Sequence, residues 1–129
     1  MTDAEKIEAA IRQAANKPTG ELIKADLEKV TWLNFSGYQL TDVSALRGLK
    51  QLEGLNLNDN QLADVSALAE LTQLKTLLLA YNKLTDVSAL KGLKQLETLY
   101  LNENDLTKAE IDMLKKALPN CEINHTAKN

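Results

Sequence analysis

At 129 residues with a formal net charge of −3, the chain has the length of one domain and no excess of positive charge to hold nucleic acid or an anionic membrane. Its single cysteine, Cys121, excludes an intrachain disulfide framework, so packing alone must hold the fold. The start, Met1 to Lys6, lacks the basic stretch and apolar run of a secretory signal, and no apolar stretch approaches membrane-spanning length; this reads as a soluble chain, cytoplasmic or excised from a secreted protein, with its compartment left open.

In chain order, Ile7, Ala10, Ile11 and Ala14 form the i, i+3, i+4, i+7 stripe of an amphipathic helix over residues 3–15, which Pro18-Thr19-Gly20 ends. A second short helix is expected around Lys24–Lys29, bringing Leu27 and Val30 onto a first strand. Val30, Leu33, Phe35 and Tyr38 then form a degenerate first copy of a pattern that becomes regular further on.

From Leu40 a unit of 22 residues recurs without a gap, opening on Leu40, Leu62, Leu84 and Leu106. The units from Leu40 and Leu84 agree at 17 of 22 positions, a match that chance does not produce. Each unit contains Leu-x-x-Leu-x-Leu-x-x-Asn, as Leu52, Leu55, Leu57, Asn60; Leu74, Leu77, Leu79, Asn82; and Leu96, Leu99, Leu101, Asn104. Alternation at Leu55-x-Leu57 predicts a short strand with its leucines inward, and stacking units sets these strands side by side in a parallel sheet. The asparagine turns the chain and bonds backbone groups that the turn leaves free. Tyr38 takes its place in the first copy, as expected of a cap.

The returning arm reads Leu-Thr-Asp-Val-Ser-Ala-Leu at 40–46 and 84–90. Ser44, Ser66 and Ser88 are expected to N-cap a 3-10 turn, with Val43, Leu46 and Leu49 entering the core from the convex side. Asp42, Asp64 and Asp86 line that turn as its partners; a calcium ladder there would need six or more oxygens. After Leu106, Thr107-x-x-Glu110 is a capping box, Ile111, Leu114, Ala117 and Leu118 form the stripe of about three helical turns, and Pro119 stops the helix. Leu118, Cys121 and Ile123 are a final degenerate copy.

The 22-residue period with these two motifs resembles the bacterial, internalin-like class of leucine-rich-repeat proteins over residues 22–123, including the helical segment running into Val30-Thr31-Trp32-Leu33 and the ending Leu118-Pro119-Asn120-Cys121-Glu122-Ile123. The resemblance implies an α/β solenoid: a right-handed leucine-rich-repeat superhelix with a short parallel sheet of about five strands on the concave face, 3-10 or irregular convex arms, and helical caps at both ends. A single domain over 1–129 is expected, divided into an N-terminal cap with the first strand (1–39), three repeats (40–105) and a C-terminal cap (106–129). The resemblance also implies non-catalytic protein recognition through the concave sheet, by a monomer. Three near-identical units between two caps would equally suit an engineered or consensus scaffold with no selected ligand.

Residues pointing away from the core form columns across the strands. One is expected to run Trp32, Gly54, Thr76, Thr98, Asn120; the next Asn34, Asn56, Leu78, Tyr100, Glu122; a third Ser36, Asn58, Ala80, Asn102, Asn124; and a flanking one Gly37, Asp59, Tyr81, Glu103. Leu78, Tyr81 and Tyr100 make an apolar and aromatic patch of the composition interface anchors favour, with Trp32, Asn56, Asn58 and Asn102 around it. The same residues also serve as ordinary cover for neighbouring strands, and the Trp32 ring fits flat over Gly54 as a roof on the first layer. A nucleic-acid surface would need a stripe of cations, and the column Thr31, Glu53, Lys75, Glu97 holds one. Catalysis has only Cys121 and His125 to draw on. Cys121 is expected inward as core filling and His125 in a solvated terminus, which gives no catalytic residue, no metal set and no cofactor.

Overall fold

The computed structural model describes residues 1–128. Five three-residue strands, β1 (Trp32–Asn34), β2 (Gly54–Asn56), β3 (Thr76–Leu78), β4 (Thr98–Tyr100) and β5 (Glu122–Asn124), lie in chain order in one parallel sheet. Leu33, Leu55, Leu77 and Leu99, the middle residues of β1 to β4, are buried and in register, with Ile123 beside Leu99 in the last layer. No such strand holds alone. Along the stack each leucine is covered by the layers on either side of it, so stability is close to a sum of neighbour interfaces.

The convex arms are the predicted 3-10 turns, at Ser44–Leu46, Ser66–Glu70 and Ser88–Leu90. Their Leu46, Leu68 and Leu90 join Val43, Val65 and Val87 in the same continuous core as the strand leucines. The serines are not the caps. Asp42, Asp64 and Asp86 each accept the N–H of the serine two residues on, at 2.8 Å, closing an Asx turn with a charged acceptor that outcompetes a hydroxyl. Those serine N–H bonds hold all three carboxyl groups below the usual carboxylate range.

Asparagine ties the layers together on the other side of each strand. Asn60 Oδ1 accepts the Leu40 N–H at 2.8 Å while its Nδ2 donates to the carbonyls of Phe35, Leu57 and Asn58. Asn82 and Asn104 repeat the arrangement one and two layers on. The ladder is structural, and each rung reaches back into the preceding unit.

Helices close both ends. The first, α1 (Asp3–Ala15), starts on a reciprocal box between Thr2 and Glu5 and buries Ile7, Ile11 and Ala15 against the first layer. Ala14, expected in that stripe, is exposed, because the buried face continues to Ala15. A single turn, α2 (Lys24–Leu27), is shorter than the predicted segment; it is braced by Asp26, which accepts from Lys17 Nζ at 2.8 Å and from the Ile23 N–H. At the far end α3 (Lys108–Ala117) buries Ile111 and Leu114, with Leu118 following. Its expected capping box is half made. Thr107 accepts the Glu110 N–H, but the Glu110 carboxylate accepts from Val87 N–H at 3.2 Å and so staples α3 to the third arm.

Beside the apolar contact of α1, one carboxylate ties the N-terminal cap to the first arm. Asp3 Oδ2 accepts the N–H of Thr41 at 2.9 Å, the Thr41 hydroxyl and the N–H of Asp42, and the Thr41 N–H foremost draws its pKa below the ordinary value. A carboxyl depressed on folding stabilises above its unfolded pKa and ceases to do so as pH falls through its folded one. Hydrogen exchange at the Thr41 and Asp42 amides is therefore expected to quicken as pH drops below about 4, once corrected for intrinsic rates, and Asp3→Ala should show that fast exchange already at neutral pH.

Candidate functional site

The concave face is set by strand pleating, which sends the first and third residue of each strand outward. Its first column is Trp32, Gly54, Thr76, Thr98 and Glu122; its second is Asn34, Asn56, Leu78, Tyr100 and Asn124. Through four layers this is the predicted arrangement. The fifth layer is shifted by two residues: Glu122, not Asn120, stands beside Thr98, and Asn124, not Glu122, beside Tyr100. The cause is α3. Its ten residues replace a 3-10 turn of three and lengthen the last unit beyond the 22-residue register.

That shift also moves Cys121 out of the core position expected of it. The Glu122 N–H bonds the Glu97 carbonyl, so Cys121 sits at the mouth of β5, half-buried, with Ile123 taking the inward place. Burial and then the Glu122 charge push its thiol pKa up, which disfavours a thiolate. His125 accepts the Ala127 N–H on Nδ1 in the chain beyond β5. Among the described residues no group of three or more His, Cys, Asp or Glu is placed to hold a metal ion.

Leu78 and Tyr100 are direct cross-strand partners, the first half-buried and the second exposed. Tyr81 lies at the rim, three residues after Leu78, and is 58% exposed. Its backbone is left-handed, φ 60°, as it is at Asp59 and Glu103 in the same column and at Gly37. A bulky side chain is disfavoured there by about 1 kcal/mol or more. The presence of glycine at 37 and aspartate at 59 was the sequence signal for this conformation.

Not all the surrounding residues are free. Asn56 Oδ1 accepts the Asn58 N–H and Asn58 Oδ1 accepts the Ala80 N–H, so both amides are partly spent on shaping the strand ends. Asn102 is half-buried, and its carbonyl receives the Tyr81 N–H. Trp32 stands in the first layer, two strands away from Leu78, with half its surface exposed. Its ring covers Gly54 so closely that a β-carbon there would overlap Cε3 and Cζ3. Gly54→Ala is expected to swing the indole into solvent. Because Trp32 is the only tryptophan, the change reads out as a red shift and easier quenching of intrinsic fluorescence, with about 1 kcal/mol lost from the first interface.

Comparison with known proteins agrees with this geometry. The family model described as leucine-rich repeats in two copies matches residues 28–70 and again 72–116. The chain belongs to the leucine-rich-repeat family. It is of the internalin-like kind: an internalin (inlF) of Listeria monocytogenes superposes with a TM-score of 0.78 at 27% identity, over 95% of this chain and 43% of that one. Internalin C2 of the same organism gives 0.72 at 25% identity, over 99% and 66%. The chain thus spans less than two thirds of either internalin. A TLR13–ssRNA13 complex gives 0.67 at 29% identity, over 81% of this chain and 16% of that one. No curated protein gave a match. Leucine-rich-repeat proteins generally mediate protein–protein interaction and are typically non-enzymatic. In this repeat protein no helix among the described residues is long and apolar enough to cross a membrane.

Proposed function

We propose that residues 1–129 form a single, monomeric, non-catalytic recognition module that holds a protein partner on the concave sheet, centred on Leu78, Tyr81 and Tyr100. The observation that carries this reading is Tyr81. A large aromatic side chain stands on a left-handed backbone that glycine, aspartate or glutamate fills in other layers, with more than half of its surface left to solvent. A local backbone cost borne by a largely exposed aromatic is a mark of a contact residue. Leu78 and Tyr100 extend it across two rigid strands, the arrangement in which interface anchors lose little entropy on binding.

RNA, present with the TLR13 relative, fits this face poorly, since Lys75 is its only cation and carboxylates outnumber it. Affinity capture with immobilised wild-type protein, followed by titration of whatever is retained, tests the proposal. Leu78→Ala/Tyr100→Ala is expected to weaken the retained partner at least about 30-fold. Equal affinity in that variant would remove the site from this face.

A further inference from the structure

We infer that the partner segment received by the concave face is basic, setting arginine or lysine side chains against Tyr81, Tyr100 and the carboxylates that border them; this rests on the concave-face reading above. The chain is not short of cations, having 15 Lys and Arg. Only Lys75 stands in the face's columns, and it is already paired with Glu53 at 3.7 Å. Against it stand Asp59, Glu97, Glu103 and Glu122, all exposed, and among the described residues none of the four has a lysine or arginine within ion-pair distance.

Their placement is fixed by the sheet. The Asp59 N–H bonds the Ala80 carbonyl and the Tyr81 N–H bonds the Asn102 carbonyl, so Asp59, Tyr81 and Glu103 follow one another along one rim at about the 4.8 Å spacing of adjacent strands. Tyr81 is therefore flanked along the rim by an acidic residue in the layer on either side. At the other end of the strands Glu97 immediately precedes β4, which carries Tyr100, and Glu122 stands in the next layer beside Thr98. An apolar centre with carboxylates on both sides matches a guanidinium, which stacks on an aromatic face while donating to oxygens at its edge. A neutral segment would cover these carboxylates without replacing their hydration, and an acidic one would be repelled.

Binders selected from a random linear peptide library on phage, then resynthesised and measured by fluorescence anisotropy, test the inference. Clones that lose binding to Leu78→Ala/Tyr100→Ala are expected to be rich in Arg and Lys beside an aromatic or aliphatic residue. Their affinity should fall about threefold to tenfold in Asp59→Asn/Glu103→Gln, fall again as salt is raised, and stay unchanged in Glu21→Gln, which lies outside the face. Asparagine suits the left-handed backbone at 59, and circular dichroism of the variant, expected to match wild type, checks that it is folded. Neutral or acidic clones that need Leu78 and Tyr100 but ignore salt and the amide variant would overturn the charge inference and leave the concave site standing. Clones that bind Leu78→Ala/Tyr100→Ala as well as wild type would overturn both.

Discussion

Asn82→Ala is expected to cost about 3 kcal/mol of folding stability, far more than its small polar side chain implies. The residue is buried, and four bonds depend on it: Oδ1 accepts the Leu62 N–H at 3.0 Å, and Nδ2 donates to the carbonyls of Leu57, Leu79 and Ala80 at 2.9, 3.1 and 3.3 Å. Alanine leaves the Leu62 N–H in the interior without a partner, worth about 1–3 kcal/mol, and strips one of two donors from each carbonyl, Leu57 keeping Asn60, Leu79 keeping Asn104 and Ala80 keeping the Asp59 N–H. For an m-value of about 2 kcal/mol/M the urea midpoint should fall by roughly 1.5 M. Asn104→Ala should cost about half as much, because that rung is only half-buried and solvent reaches the freed groups. Equal losses at both positions would show that burial is not what sets the cost.

The same ladder explains how Tyr38 can stand where the repeat has asparagine. Each rung reaches back about one unit, from Asn60 to Phe35 and from Asn82 to Leu57. Before Tyr38 there is no earlier layer to reach. Instead Lys6 of α1 donates to the Tyr38 carbonyl at 2.8 Å, and the ring packs edge-on against Phe35, so the helix satisfies what a preceding repeat would have.

The strands, the 3-10 arms and the helices were legible because leucine spacing carries them directly: a period of two within the strand and 22 between layers leaves one solution. What was not legible depended on competition between groups. Either Ser44 or Asp42 has the chemistry to close the arm, and the charged acceptor wins through bond strength that spacing does not show. Glu110 had two donors within reach, its own helix start and Val87, and only packing selects the second. The two-residue shift at β5 follows from helix length, which sets chain length between layers and displaces Cys121 and the last members of each column. The reciprocal Thr2 and Glu5 box was readable from Thr-x-x-Glu, the pattern also seen at Thr107. The face around Leu78 was legible as a set of outward positions, but the left-handed backbone beneath Tyr81 was visible only as a glycine and an aspartate elsewhere in its column.

Leu77 and Leu78 put the division between core and surface to its sharpest test, since they are the same residue at successive positions. Leu77 is fully buried between Leu55 and Leu99, and Leu77→Ala opens a cavity in the middle layer, for an expected loss of about 2–5 kcal/mol. Leu78 is half-buried between Asn56 and Tyr100 on the concave side, so its truncation should cost about 1 kcal/mol or less. Binding is expected to reverse the order: Leu78→Ala weakens partner affinity strongly, while Leu77→Ala, measured where it remains folded, leaves affinity within about threefold of wild type. The reversal matters because a single measurement of either kind is ambiguous. A destabilised protein binds less simply by being less folded, and a surface residue that braces the sheet mimics an anchor. Only a variant that keeps its melting temperature and loses its partner, beside a neighbour that does the opposite, separates an anchor from a brace. If Leu78→Ala instead costs as much stability as Leu77→Ala, then the concave leucine is packing, and Tyr81 with its strained backbone is left to carry the site without it.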